Sequence, residues 1–479
     1  MIVKQSCGRI RQFTRQNIVI NHYKTEQCLQ KKKANLKTTA IPKLFLSYFV
    51  PALVAMLALS SYSTIDGIFV GKKLGENALA AIGIAWPIFP VLIAFELLFS
   101  VGGATMASYF LGRKKALHAR IVFSSVFYFA LISSVIGGVA LYIFVDSIAL
   151  MLGSSAQLLP LVKAYIEVIF LGSFIIVLHP MLDIFVINDK RPVLAMVAMI
   201  VGSALNIIFN YIFLFILEFG IASSALATLL GHGVGMCILL QHFLRKKGDL
   251  YLVGSFNIYA LLNATKNGIP QSSSEISVSV MMLIFNHTIA SIAGDRGLAI
   301  YGVIMYIGII PFTILLSMAQ GVQPIASFNY GAKLMERVMG IFKFGVGFSL
   351  IGGIALYVLF YICMPYFVSW FLPNDIAMRD LNLLTDTQDS ARIYFLGYVL
   401  LGVNIVSAIF FQSIQRTLTS FIVTFTYTLF FALFFVLILP RFYGFMGVMV
   451  AYPLGILCST CVTFIITIYE RKRGILKDI

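Results

Sequence analysis

Five acidic side chains of this sequence lie in long apolar stretches: Asp66, Glu96, Glu167, Asp183 and Glu275, with His287 nearby in the last of them. A charge inside a membrane-length apolar run is costly, so such residues are read first as functional. Asp66 sits in Tyr62-Ser-Thr-Ile-Asp66-Gly-Ile-Phe-Val-Gly71. Tyr62 precedes it by one turn on the same helical face, which predicts a hydrogen bond from hydroxyl to carboxylate. Asn206 and Asn210 are also four apart on one face. A carboxylate, two amides and a hydroxyl offer hard oxygen ligands for a small cation, or a polar nest that can pass a proton. Interhelical polar glue is the competing reading. It suits the asparagines better than Asp66, because a buried carboxylate needs a cation or a proton.

Glu275 follows Gly268-Ile-Pro270-Gln-Ser-Ser-Ser. Proline and the serine run predict an irregular, cavity-facing start to that helix, tolerable where backbone is wetted or buried in protein. Glu96 falls near the middle of its run. His179 and Asp183 are one turn apart and could pair, although Asp183 stands near a basic end, where solvation is expected. Asn404, Gln412 and Gln415 are further intramembrane polar candidates. Cys458 and Cys461 have C-x-x-C spacing, but inside an apolar helix-length run they read as small fillers.

These residues need elements to hold them. The 479-residue chain is 60% hydrophobic and 11% charged, against about 25% charged for a soluble domain. It is therefore read as an all-α polytopic membrane protein. Apolar runs of spanning length fall at about 44–70, 81–111, 119–145, 160–187, 193–217, 221–244, 258–292, 297–328, 338–368, 391–413, 418–439 and 443–469. That makes twelve transmembrane helices. Residues 372–390 read as the one long polar break, with Asp375, Asp380, Asp386 and Asp389. Placing the amino terminus inside puts all but seven of the 35 Lys and Arg on that side, the seven being Lys72, Lys73, Lys163, Arg296, Arg379, Arg392 and Arg441. This satisfies the positive-inside rule with both termini cytoplasmic. The net charge of +16 is then a membrane anchor rather than a nucleic-acid surface. Residues 1–40 are expected to be a disordered basic tail without an apolar signal core.

The chain also repeats. A shift of 219 carries Gly75, Gly83, Gly102 and Gly112 onto Gly294, Gly302, Gly321 and Gly331, and Lys114 onto Lys333. More faintly, a shift of 224 carries Gly220 and Gly231 onto Gly444 and Gly455. A repeat of this length sets the architecture. It predicts two lobes of six helices, 41–247 and 248–479, joined by a basic linker. An even number of spans per lobe makes the lobes parallel repeats about an axis along the membrane normal, with a cavity between them.

The inventory excludes several activities. There is no Walker-type phosphate loop, no H-E-x-x-H and no Gly-x-Ser-x-Gly, so neither an ATPase, a metalloprotease nor a hydrolase is indicated. Ile65-Asp66-Gly-Ile-Phe-Val-Gly-x-x-Leu-Gly-x-x-Ala-Leu-Ala-Ala81, with Gly102 to Gly112, Gln323-Pro324, Asn329-Tyr330-Gly331-Ala332 and Phe411-Gln412-Ser413, resembles the multidrug and toxic compound extrusion (MATE) family, in its MepA-like bacterial branch. The resemblance runs over roughly 41–470.

It implies an antiporter of the inner membrane, monomeric, that exports small amphipathic cations. H+ or Na+ would enter in exchange, with no other cofactor. It implies an amino-lobe cation site at Asp66, Tyr62, Asn206 and Thr228, with Asn210 standing where the family usually has an aspartate. Na+ would then sit among Asp66, Asn206, Asn210 and Thr228. Glu275 would serve a carboxyl-lobe site for cation or drug. Two readings compete. A flippase of lipid-linked precursors would want a cationic cavity, yet no Arg or Lys falls mid-helix. A passive channel or receptor would not need Asp66.

Overall fold

A lipid environment offers no hydrogen bonds to backbone, so each apolar run must satisfy its own amides as a helix. The computed structural model describes residues 35–371 and 381–472. Its spanning helices are α1 (Ile41–Leu74), α2 (Asn77–Gly112), α3 (Ala116–Ile143), α5 (Pro192–Ile216) and α6 (Ala222–Leu244), then α7 (Ile258–Gly294), α8 (Arg296–Gly331), α9 (Met335–Ser369), α10 (Asn382–Ser413), α11 (Thr417–Ile438) and α12 (Pro440–Lys472). The fourth span, α4, is a pair, Leu159–Leu171 and Ser173–Asn188, bent by 52°. Counting that pair as one gives the twelve expected spans among the described residues.

Two expectations are corrected. Residues 381–390 are not a polar loop but the opening turns of the tenth span, where Arg296 donates to Asp386 at 2.9 Å. Asp375 and Asp380 lie outside the described residues. The serine run before Glu275 is not irregular either. Helix α7 starts at the Asn257 cap, whose side chain accepts from the Ala260 amide at 3.0 Å, and passes through Pro270 to a break only at Gly294. Proline is tolerated inside membrane helices, where the surroundings can resupply the freed backbone group.

The repeat is written into the backbone. Gly75 and Gly294 both take positive φ, 82° and 57°, and Lys114 and Lys333 take 60° and 59°. All four positions are related by the shift of 219. The close approaches between lobes, α2 with α7 and α8, α1 with α8, lie toward the basic ends of these helices, and glycine permits them. A Cβ on Gly112 would stand 2.1 Å from the Phe328 carbonyl oxygen, and one on Gly331 would stand 2.0 Å from that of Tyr109. Polar contacts line the same seam: Gln323 Nε2 donates to Thr105 Oγ1 at 2.9 Å and Ser108 Oγ to the Pro324 carbonyl at 3.4 Å.

The segments flanking the lobes are held as well. In the part of the tail that is described, Arg337 donates to the carbonyls of Leu36 and Thr39, and Leu36 is buried; residues 1–34 lie outside the described residues. The linker after α6 is pinned to the amino lobe. Asp189 accepts from the amides of Asp249 and Leu250 and pairs with His242 Nε2 at 2.8 Å. Burial pushes the Asp189 carboxyl above its ordinary pKa, and the His242 hydrogen bond opposes that rise. Ser124 and Ser125 accept from the amides of Val253 and Asn257.

The glycine seam yields a test. Gly331→Ala forces the two lobes apart at their basic ends, at a cost of about 1–3 kcal/mol for overpacking. Spin labels at Lys114 and Lys333 should show a longer mean distance in that variant than in the parent protein.

Candidate functional site

Helices α5 and α6 run antiparallel and pair in a constant register. Asn210 and Ser224 converge on one atom of Asp66, Asn206 meets Thr228, and Gly202 meets Gly231, so the contacts step along the pair by about four residues. Four residues is close to one turn, so one polar face of α6 meets one polar face of α5. The helices can approach this closely because Gly202 and Gly231 face each other; a Cβ on Gly231 would meet the Gly202 oxygen at 2.6 Å. Small residues at a crossing serve this purpose in membranes. A π-helical turn, Ile212–Ile216, begins two residues after Asn210; such turns are frequent at functional positions.

Helix α1 closes the third side. Asp66 Oδ1 accepts from Ser224 Oγ at 2.7 Å and from Asn210 Nδ2. Asn206 Nδ2 donates to Thr228 Oγ1 at 3.1 Å. The side-chain oxygens of Asn206 and Asn210 are both buried and without a partner. Two orphaned amide oxygens cost free energy wherever they are sealed in protein. Beside a carboxylate and a threonine hydroxyl, they form a donor set of hard oxygens that fits a small cation.

Tyr62 does not bond Asp66 as the spacing suggested. Its hydroxyl turns to His232 Nε2 at 2.9 Å, and His232 Nδ1 lies 2.9 Å from His179 Nδ1. His179 therefore pairs with His232 and not with Asp183. Tyr62, His179 and His232 line a cavity of one-water size together with Met199, Gly202, Ser203 and Asn206.

The other acids lie elsewhere. Asp183 is half-buried, with Oδ1 buried and unpartnered rather than solvated. Glu96 is 4% exposed, and its Oε1 has no partner. Glu275 is half-buried in α7 of the opposite lobe, and Glu167 sits 3.9 Å from Lys163 at the other end of α4. Asn404 is fully engaged: it donates to Thr460 at 2.9 Å and accepts from Thr463 at 2.9 Å, which ties α10 to α12. Gln412 Nε2 donates to the Asn267 carbonyl at 2.7 Å.

Ser224 and His232 escaped the reading of acids and asparagines. Their signal was present nonetheless, as Ser224, Thr228 and His232 share a four-residue period on α6. The repeat sharpens the assignment further. The shift of 219 carries Tyr62 and Asp66 onto Met281 and Phe285, both buried apolar side chains. One backbone plan thus packs without a carboxylate in one lobe and holds one in the other.

Comparison with known proteins followed the same lines. The MatE family model matches residues 51–212 and 270–438, the two repeats. The multidrug export protein MepA of Staphylococcus haemolyticus is 27% identical over 299 residues, 61% of this chain and 65% of that protein. The one from Staphylococcus saprophyticus is 26% identical over 329 residues, 68% of this chain and 71% of that protein. The chain thus aligns to just under two thirds of the first relative's length. Among solved structures, an outward-facing multidrug resistance MATE family transporter of the MOP superfamily superposes with a TM-score of 0.86 at 23% identity, covering 93% of this chain and 99% of that one. A crystal structure of MATE in complex with MaL6 gives 0.87 at 23% identity, over 94% and 100%. These likenesses establish the fold.

The register makes a separable prediction. Ser224→Ala removes one of the two donors to Asp66 Oδ1 and should lower stability by about 1–2 kcal/mol, seen as a reduced Tm in detergent. Ser223→Ala, whose hydroxyl bonds the Gly220 carbonyl just before its own helix, should change Tm by less.

Proposed function

This chain belongs to the MatE family, and from that membership we propose that it is a cation-coupled antiporter exporting amphipathic, cationic compounds across the inner membrane. The observation that carries the proposal is Asp66, a carboxylate inside a membrane span that meets amide and hydroxyl donors but no cationic side chain among those bonded to it. Such a group is unstable as a bare charge and gains from any cation that reaches it. Binding of H+ or Na+ at Asp66 is thereby favourable, and the orphaned oxygens of Asn206 and Asn210 supply the further ligands that Na+ would want.

Antiport needs ion and drug to favour different lobe arrangements. The arrangement described, with lobes in contact at their basic ends, is read as open to the outside. A cation entering from that side neutralises Asp66, and the donors of α5 and α6 must then redistribute. That repacking changes the amino lobe's face toward the central cavity and weakens the hold on a cationic drug. Glu275, across in α7, is read as a second anchor for cation or drug. Release of the cation inside restores the charge. No step in this cycle requires a cofactor or a second copy of the chain.

Ethidium efflux from cells or proteoliposomes, with proton and Na+ gradients imposed separately, tests the reading. Asp66→Asn should abolish gradient-driven efflux while the protein remains inserted and monodisperse; normal pumping by that variant would refute the site. Asn210→Asp adds a carboxylate beside Asp66. It should tighten Na+ binding by about tenfold, consistent with the 1–3 kcal/mol scale of one charged contact, measured as the Na+ concentration that half-saturates a thermal shift.

A further inference from the structure

A convergence of charge outside the Asp66 site lies where the two lobes meet at their basic ends. Gly112 and Gly331 bring the ends of α2 and α8 into backbone contact there. Lys114 stands two residues beyond Gly112, and Lys333 two beyond Gly331. Two residues span at most about 7 Å of chain, so a lysine from each lobe emerges over one crossing. Arg113 and Lys115 flank the first of them. Lys37 of the tail and Lys190 of the amino lobe approach the same crossing. Their Nζ atoms lie 5.9 Å and 5.2 Å from the centre of the Phe328 ring, three residues before Gly331.

The backbone at these positions is unusual. Lys114 and Lys333 take φ of 60° and 59°, and Lys190 and Lys246, just past the ends of α4 and α6, take 66° and 50°. Glycine is the ordinary occupant of such a turn after a helix, because a side chain is strained there. Complementing the helix dipole does not require that strain, since a lysine in the last turn serves it. The last turns of α2 and α8 hold no basic residue. Charge is instead carried past the helix ends, to the level where the chain leaves the apolar spans, once in each repeat.

Little on the protein answers this charge. Asp249 is taken by Lys190 at 2.6 Å, and Asp189 is buried against His242. Glu336 follows Lys333 by three residues. Among the described residues no carboxylate forms an ion pair with Arg113, Lys114, Lys115 or Lys333, and all four are exposed. Arg113 donates to the Tyr109 hydroxyl at 3.1 Å, and the Tyr109 ring lies 5.8 Å from that of Tyr330 across the seam. Like charges gathered from two lobes oppose the contact that gathers them. An anion bound between them turns that opposition into attraction.

We propose that this patch binds the headgroup of an anionic phospholipid, whose phosphodiester is held by lysines of both lobes and so clamps their basic ends together. Each ammonium brings three donors to phosphate oxygens. Depth favours a lipid over a soluble phosphate. The patch sits where α2 and α8 end and α3 begins, the level at which basic residues meet anionic headgroups. Leu117, in the first turn of α3 and two residues past Lys115, is 59% exposed and offers the acyl chain an apolar contact. Neither the coupling ion nor the exported compound enters into this site.

The test follows the Tm of the full chain in detergent during titration with phosphatidylglycerol, phosphatidylcholine or inorganic phosphate. Phosphatidylglycerol should raise Tm, with little effect from the other two. The rise should shrink in about 1 M NaCl, where screening acts over about 3 Å. Lys114→Gly combined with Lys333→Gly removes both ammonium groups and keeps a turn that glycine favours. This pair should need about thirtyfold more phosphatidylglycerol for the half-maximal shift, the scale of two lysines near an anionic surface. Lys72→Gln with Arg441→Gln removes two charges at the opposite ends of the spans and should keep the parent's response. A parent Tm indifferent to phosphatidylglycerol overturns the proposal, as does a glycine pair that responds like the parent. So does an equal loss in the opposite-end pair, or an equal shift with phosphatidylcholine. An equal shift with inorganic phosphate overturns it too, leaving an anion site that is not a lipid site. If the glycine pair does not fold, Lys115→Gln is read in its place: about fivefold is expected for one charge, and an unchanged response overturns the site.

Discussion

A carboxylate placed inside a lipid-embedded bundle must be answered by polar groups on neighbouring helices, and the amino lobe is arranged around that demand. Asp66 takes donors from α5 and α6 at once, so three helices are committed to one oxygen atom. The close α5–α6 crossing at Gly202 and Gly231 is what allows Asn210 and Ser224 to reach it together. Remove the carboxylate and the same backbone can close over hydrocarbon, as the carboxyl lobe does around Phe285. The polar nest is thus an addition to the fold rather than a requirement of it, which is why it reads as function.

The lobe seam depends on a different constraint. Without a hydrophobic drive between helices in lipid, association relies on close packing and on hydrogen bonds. Gly112 against Phe328 and Gly331 against Tyr109 supply the first, and Gln323 with Thr105 supplies the second. Under the antiport cycle proposed above the same seam has to open, so its strength would be bounded from both sides. Contacts made by backbone and small side chains suit that duty, because they part without leaving a large apolar surface exposed.

Much of this was legible in the chain alone. Twelve spans, two repeats and a basic side follow from composition and periodicity, since bilayer thickness and backbone satisfaction leave few alternatives. Positive φ at Gly75, Gly294, Lys114 and Lys333 follows the shift of 219 residue by residue. The errors have physical causes as well. Residues 381–390 read as a loop because they are polar, yet an amphipathic helix with one face against protein tolerates that composition. Pro270 and the serines read as irregular, but proline is tolerated inside membrane helices.

What the sequence determined is the class, the spans, the repeat and the identity of Asp66, Asn206 and Asn210 as costly polar residues in apolar surroundings. All of these are local or periodic properties, and the cost of placing charge or bare backbone in lipid enforces them. What only the tertiary structure decided is partnership. Tyr62 is one turn from Asp66, yet it bonds His232, 170 positions away. His179 is one turn from Asp183, yet it bonds His232 as well. Side chains on one helix face are neighbours by geometry. Which of them turn to each other depends on what the packed helices bring into reach, and that is a property of the fold.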